Sequence, residues 1–450
     1  MLRILGLKDL AGKGAETVFS FWALVLLTFF LFGDQNLIAG NISRIGSDFG
    51  FPDKETYLWK LGSLVSLCFF IVGGAISIYA GVLNDKFSAQ QKKTLLIVTV
   101  IIGEASCLLS AFSPNFEIFL ILRTLTGIGL GGLYPVLFSL LSDLFRNENR
   151  PVANGWLGLA MGLGIACGQL LGGALAHWEF LGMSGWRWSF VFMAAPSFPL
   201  LLAYYIWGKT PKRGQADMLQ VHASDSAEVV EVTHNFNIHD LRKIFSIPSN
   251  LLAFMQSIPG CVPWGLMFVY FVDFYEKTRG FHVQTANLLV VAFGGMAIFG
   301  VFLGGILGGW LYRKSPKLLP YLCGGSILLG SLPVFGMVNF SGNSISIPLV
   351  FAVLAGLIVP MTSANVRAVL MNSNLPEQRG AVFALFNLTD DLGKGLGPFF
   401  VGLLLLVFDQ VTAFNIAVAF WIPAGLIWLF LPKYIENDEK KVSQIIAARI

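Results

Sequence analysis

Twelve stretches of about 20 mostly apolar residues follow one another along this chain of 450 residues. No other feature constrains the fold as tightly. A bilayer core of about 30 Å is spanned by about 20 apolar residues in helical form, and inside lipid a helix satisfies its backbone polar groups internally. The stretches lie near residues 18–42, 57–80, 93–113, 115–141, 151–177, 185–207, 247–272, 287–312, 317–338, 345–371, 379–407 and 411–432. The expected fold is an all-α membrane protein with twelve transmembrane helices. Composition agrees: only 12% of residues are charged, against about 25% in soluble domains. That excludes a soluble enzyme, a nucleic-acid binder and a disulfide-built secreted domain. The five cysteines fall inside apolar stretches at unrelated spacings, as buried filler does, so neither a disulfide framework nor a metal site is expected. The first stretch is too long for the apolar part of a signal peptide and is expected to be retained.

Orientation follows from the basic residues, because cytoplasmic loops hold an excess of Lys and Arg. With the N-terminus inside, 21 of the 30 fall on the cytoplasmic side and five outside, the rest lying in or at the edge of helices. Both termini are therefore expected in the cytoplasm, in a multi-pass protein of the plasma or inner membrane. The longest polar stretch, 208–246, separates a six-helix bundle at 1–207 from a second at 247–450, which includes a cytoplasmic tail. Asp217, Asp225, Glu228 and Glu231 among small residues suggest that its first part is mobile. Phe236, Ile238, Leu241, Ile244 and Phe245 suggest a short amphipathic helix on the membrane surface.

The two halves repeat. A shift of 229 positions brings Arg150 onto Arg379, Gly164 onto Gly393, Gly168 onto Gly397 and Gly173 onto Gly402, while Asp143 meets Asn372 and Gln169 meets Pro398. A shift of 224 superposes Gly81–Lys86 (GVLNDK) on Gly305–Trp310 (GILGGW), with Gly309 in place of Asp85. Two parallel six-helix pseudo-repeats are the arrangement of a rocker-type secondary transporter, with its substrate site between the halves near the bilayer middle.

Gly81-Val-Leu-Asn-Asp85-Lys86, followed by Lys92 and Lys93, resembles the signature loop of the major facilitator superfamily. Arg123 with Gly127 and Gly129 resembles a second superfamily motif, and Gly164, Gly168, Gly172 and Gly173 a third; Gly185-Trp-Arg-Trp188 before the sixth helix is also common there. A narrower resemblance, to the spinster-like lysolipid and sphingolipid transporters, rests on Asp34-Gln-Asn-Leu-Ile-Ala-Gly40 and Arg123-Thr-Leu-Thr-Gly127, although Leu130 stands where that branch typically carries a glutamate. The resemblance implies that Asp85 faces the start of the eleventh helix near Arg379, because helix N-termini favour anions. Gly81, Asp85, Lys86, Arg150 and Arg379 would then form a cytoplasmic gate; the alternative is a local turn stabiliser.

Charges at bilayer depth cost at least about 2.5–3.5 kcal/mol each and are functional candidates by default. At 1.5 Å per residue, Asp34 lies roughly 24 Å from the inner end of the first helix and Arg123 roughly 12 Å from the outer end of the fourth. Their depths match well enough for an ion pair, expected to couple transport to protons: an anionic substrate that captures the guanidinium frees the carboxylate to take up a proton. A similar pair occurs in spinster-like transporters. The alternative is a fixed pair that never titrates. Glu104 reads as a buried protonated acid or a paired one.

On the eleventh helix Asn387, Asp390, Asp391 and Lys394 share an arc about 100° wide, with Asn365 and Arg367 on the tenth helix in the same half. They form either the wall of a substrate cavity or a network that satisfies itself. Pro259 and Pro263 predict a broken gating helix, the seventh. Gln256 and Trp264 on it are candidates for the cavity, Trp264 being otherwise a packing aromatic. There is no nucleotide-binding Gly-Lys-Ser/Thr loop and no paired metal-binding histidine, so neither an enzyme nor an ATP-driven pump is expected. The leading reading is a monomeric secondary active transporter working by alternating access, without a cofactor. It couples a small organic or amphiphilic anion, such as a lysolipid-like one, to protons or another ion. The alternatives are a facilitator or exporter of neutral or cationic compounds, and a transporter-like sensor that does not transport.

Overall fold

The computed structural model describes residues 7–176, 178–222, 241–342 and 344–448. Among the described residues, ten helices are long and apolar enough to cross a membrane: α1 (Ala15–Gln35), α2 (Trp59–Lys86), α3 (Ala89–Ser110), α4 (Phe116–Leu144), α5 (Asn147–Leu175), α6 (Gly185–Trp207), α8 (Thr285–Tyr312), α9 (Leu318–Asn339), α10 (Ser346–Asn372) and α12 (Gln410–Lys433). The seventh and eleventh, α7 (Pro248–Gly265) and α11 (Arg379–Leu405), complete the twelve. A two-residue hairpin, Glu179–Phe180 against Met183–Ser184, caps the α5–α6 connection.

Two elements depart from the sequence expectation. α1 stops at Gln35 instead of reaching 42: Asn36 turns the chain, and a short helix, Ile42–Asp48, follows. The break expected in α7 is a change of helix type. Past Pro259 and Pro263 the chain continues as π-helical turns at Leu266–Tyr270 and Phe274–Thr278. Proline removes backbone donors and so unsettles the ladder, and the Gly260 carbonyl between the two prolines accepts a hydrogen bond from Trp421 Nε1 at 2.9 Å.

Helix contacts reproduce the internal repeat. A Cβ on Gly81 would lie 2.5 Å from the Gly380 carbonyl oxygen and 2.8 Å from Ala384 Cβ, so α2 meets α11 backbone to backbone. At the related place, a Cβ on Gly305 would lie 2.5 Å from the Pro151 carbonyl oxygen and 2.8 Å from Gly155 Cα, bringing α8 onto α5. Small residues at such crossings allow the close approach on which helix association in lipid depends.

Both described ends of the chain lie at one end of the bundle, here termed the terminal face. Lys13 donates to the Leu144 carbonyl at the end of α4 (3.1 Å), and the amide of Arg146 donates to Asp9 (2.7 Å). The C-terminal helix, Ile435–Ala447, docks there through Tyr312, whose hydroxyl donates to Glu439 (2.7 Å), and through the Lys317–Glu436 ion pair (3.0 Å). Part of the polar stretch after α6 is ordered on the same face. Asp217, expected in a mobile segment, belongs to a linker helix, Gln215–His222, and is buried. Leu241, Ile244 and Phe245 lie in a five-residue helix, Leu241–Phe245; Asp225, Glu228, Glu231, Phe236 and Ile238 fall outside the described residues.

Candidate functional site

Two groups of polar residues are buried in the bundle. The first is near the opposite face. α1 starts at Ala15, so Asp34 sits in its last turn, about 28 Å along the helix at 1.5 Å per residue, and Arg123 is about 10 Å into α4. The pair therefore lies closer to this face than the middle of either helix does. Both residues are buried. They meet, but through the main chain: an Arg123 guanidinium nitrogen donates to the Asp34 carbonyl oxygen at 2.7 Å, and another lies 3.7 Å from Cys107 Sγ. The expected ion pair is not made by direct contact, since neither Asp34 carboxyl oxygen receives a guanidinium N–H. Glu104, on the Cys107 face of α3, completes the group and accepts from Ser197 Oγ at 2.8 Å.

Arg123 also lines a cavity of about 190 Å³ whose other walls are Gln35, Asn36, Ser66 and mostly apolar residues of α2 and of the chain between α1 and α2, among them Ile38, Leu61, Phe69 and Phe70. It is the one charged residue in that lining.

The second group closes the terminal face. Asp85 caps α11, accepting from the amides of Gly380 (2.8 Å) and Ala381 (2.7 Å), with Asn84 donating to it at 3.1 Å. Lys86 is exposed beside it. Arg150 in the first turn of α5 and Arg379 at the start of α11 make matched contacts across the repeat. Arg150 donates to the Ser142 carbonyl (2.8 Å) and to Asn372 Oδ1 (2.8 Å). Arg379 donates to the Met371 carbonyl (2.9 Å) and lies 3.9 Å from Asp143. Each partner pair is related by the shift of 229, so the sequence mismatch of Asp143 with Asn372 marks two residues doing the same job. Between the arginines stands Asp217. Its carboxylate accepts from Arg150 at 2.9 Å and from two nitrogens of Arg379 at 2.8 and 2.9 Å. Burial alone would raise its pKa, but the two guanidinium groups hold it down to about 2. Asp143 also receives Lys92 Nζ (3.1 Å) and the Gly214 amide (2.8 Å), tying the linker to α3 and α4.

The remaining candidates do not form one cluster. Asn365 is turned onto α8, donating to the Gly304 carbonyl at 3.0 Å. Arg367 crosses to the first six helices, donating to Tyr134 Oη at 2.9 Å over the ring of Phe138. Gln256 donates to the Ala253 carbonyl of its own helix (3.0 Å), and Trp264 packs on Phe293 and Trp421. On α11, Asn387 is buried and Asp390 accepts from Cys261 Sγ at 3.4 Å, joining α11 to α7. The side chains of Asp391 and Lys394 fall outside the description. No group of three or more potential metal ligands occurs among the described residues.

Sequence reasoning missed Asp217, which composition assigned to a mobile stretch, and Tyr134, whose α4 neighbours are apolar. The usable signal for Asp143 and Lys92 was charge near helix ends that face the centre of a bundle.

The profile of the Major Facilitator Superfamily matches residues 24–398. The chain belongs to this superfamily. It is a secondary transporter of the superfamily, not an enzyme. Protein spinster of Drosophila melanogaster is 23% identical over 409 residues, covering 87% of this chain; the chain spans 62% of the fly protein's length. A bacterial homolog of the human lysosomal transporter spinster, inward-facing and unoccupied, superposes with a TM-score of 0.60 at 19% identity, over 95% of this chain and 99% of that one. FucP, in the outward conformation, superposes with a TM-score of 0.70 at 14% identity, over 91% and 98%. The superfamily fold and the resemblance to its spinster-like branch thus hold along most of the chain.

Proposed function

We propose that this superfamily member is a proton-coupled transporter of amphiphilic organic anions. In this reading a six-helix unit at 1–207 rocks against one at 247–450 about a cytoplasmic linker, 208–246. The observation that carries the substrate class is the cavity in which Arg123 is the one charged lining residue among apolar walls. Such a wall desolvates an alkyl or aromatic body, while a guanidinium grips an anionic head through its planar fork. Asp34 lies directly behind that guanidinium, so a bound anion and the carboxylate compete for one positive charge, which links substrate binding to proton uptake.

The excess of basic residues assigns the terminal face to the cytoplasm. The Asp85 cap and the Arg150–Asp217–Arg379 bridge then constitute an inner gate in its closed state, with Gly81 at the crossing and Lys86 at its rim. Arg367, which links the halves through Tyr134, and Asp390 with Asn387 are the polar groups a substrate meets once that gate parts.

Thermal unfolding of the purified protein tests the substrate class, because a ligand at about 100 times its dissociation constant adds about 2.7 kcal/mol to the folded state. A lysophosphatidic acid is expected to raise the melting temperature, and Arg123→Gln is expected to remove the effect. Equal stabilisation by the matching uncharged monoacylglycerol would favour a facilitator of neutral compounds instead.

A further inference from the structure

Behind Arg123 lie two buried carboxyl groups for one positive charge. Asp34 is fully buried and Glu104 is 1% exposed. The two carboxyls face each other within hydrogen-bonding reach. One Glu104 oxygen accepts from Ser197 Oγ at 2.8 Å; its other oxygen has no donor, and the one donor facing the Asp34 carboxyl is the weak S–H of Cys107. The guanidinium does not supply one, since its nitrogens are directed to the Asp34 main-chain carbonyl and to Cys107. Two ionised carboxylates are acceptors only, so as anions they repel and leave buried oxygens without adequate donors. Arg123, Cys107 and Ser197 are the other polar groups that α3, α4 and α6 direct at the pair, and they offer no second positive charge.

We infer that Asp34 and Glu104 share a single proton, making Glu104 a proton-binding residue of this transporter. One proton turns the acceptor–acceptor contact into a donor–acceptor hydrogen bond. It also leaves one negative charge opposite Arg123, so the buried group is neutral overall. When an anion draws the guanidinium away, the charge left on the pair takes a second proton from solvent, and both acids are then neutral. When the anion leaves, the returning guanidinium expels that proton. The coupling role rests on the transporter reading above; the shared proton does not.

Infrared spectroscopy of the protein in lipid nanodiscs tests the sharing without any substrate. At neutral pH the wild type is expected to show a carboxylic-acid C=O stretching band that both Glu104→Gln and Asp34→Asn abolish, because either remaining carboxylate then faces Arg123 alone and ionises. Survival of that band in Asp34→Asn would show that Glu104 is an isolated buried acid and overturn the sharing. Absence of a difference between wild type and Glu104→Gln would overturn it as well. So would displacement of the band by sodium chloride but not choline chloride at constant pH, which would put a metal cation in the proton's place. Should either variant fail to fold, Ser197→Ala keeps both carboxyls and removes only the hydroxyl that favours ionised Glu104. The band is expected to persist to higher pH in Ser197→Ala; an unchanged pH dependence overturns the proposal. Failure here leaves anion transport untouched, since that is read from substrate flux.

Discussion

Arg123 combines a grip on the Asp34 main chain, a sulfur contact and a place in an apolar cavity. Lysine keeps the charge but has no planar fork, so Arg123→Lys should weaken binding of an anionic ligand by about tenfold or more, a loss of about 1.4 kcal/mol or greater. Titration of the variant with lysophosphatidic acid checks this; wild-type affinity would make Arg123 a structural residue. A second residue-level prediction concerns Glu439, outside the membrane spans. Burial raises its pKa to about 7, against the opposing effect of the Tyr312 hydroxyl that donates to it. An acid whose folded-state pKa is raised contributes its stability at low pH and loses it as pH rises from its ordinary value, near 4.5, through about 7. Docking of the C-terminal helix should therefore loosen as pH rises from about 4.5 to about 7 and level off above that, seen as faster hydrogen exchange over Ile435–Ala447 than in Glu439→Gln, which should lack the dependence. At this scale the membrane-embedded charges were legible because each is costly there. Their partners were not, since the Asp34 carbonyl and the Arg123 side chain are separated by 89 positions and no local pattern encodes the contact.

Among the elements, the spans were legible from hydropathy and the α2–α11 crossing from the repeat. The end of α1 and the linker helix were not. α1 stops where Asn36 and Gly40 permit a turn that apolar neighbours disguise, and Gln215–His222 is held by two arginines from distant helices that neutralise Asp217. The proposed gate makes graded predictions. Asp85→Asn removes a charge from a helix N-terminus, at most about 1–2 kcal/mol. Asp217→Asn strips a buried partner from two guanidinium groups, a loss of about 3–5 kcal/mol when such a network is broken from one side. Cysteine pairs across the terminal face, in a background lacking the native cysteines, should crosslink less in Asp85→Asn and less again in Asp217→Asn. Unchanged crosslinking would reduce Asp85 to a turn residue. The bridge is not a pH sensor. A depressed acid holds its contribution above its ordinary value near 3.8 and loses it only as pH falls toward about 2, so crosslinking should be flat between pH 5 and 8.

The whole molecule is a pair of repeats whose matched contacts close one end, with asymmetry placed where it matters. Asp85 has glycine as its counterpart, and the Arg123 site lies in the first six helices. The repeat was readable from arginine and glycine positions, while the closed state of the terminal face depends on contacts between halves that no single segment carries. Transport in this account joins the two ends: an anion at Arg123 lets the buried carboxyls take up a proton, and the inner gate parts to pass it. Proteoliposomes containing a pH-sensitive dye measure that link directly, with lysophosphatidic acid added as the probe. Wild type should move protons with the anion, Asp34→Asn should exchange bound anion without proton movement, and Arg123→Gln should do neither. Anion flux with no pH change in the wild type, or full proton-driven flux in Asp34→Asn, would contradict proton coupling through this site.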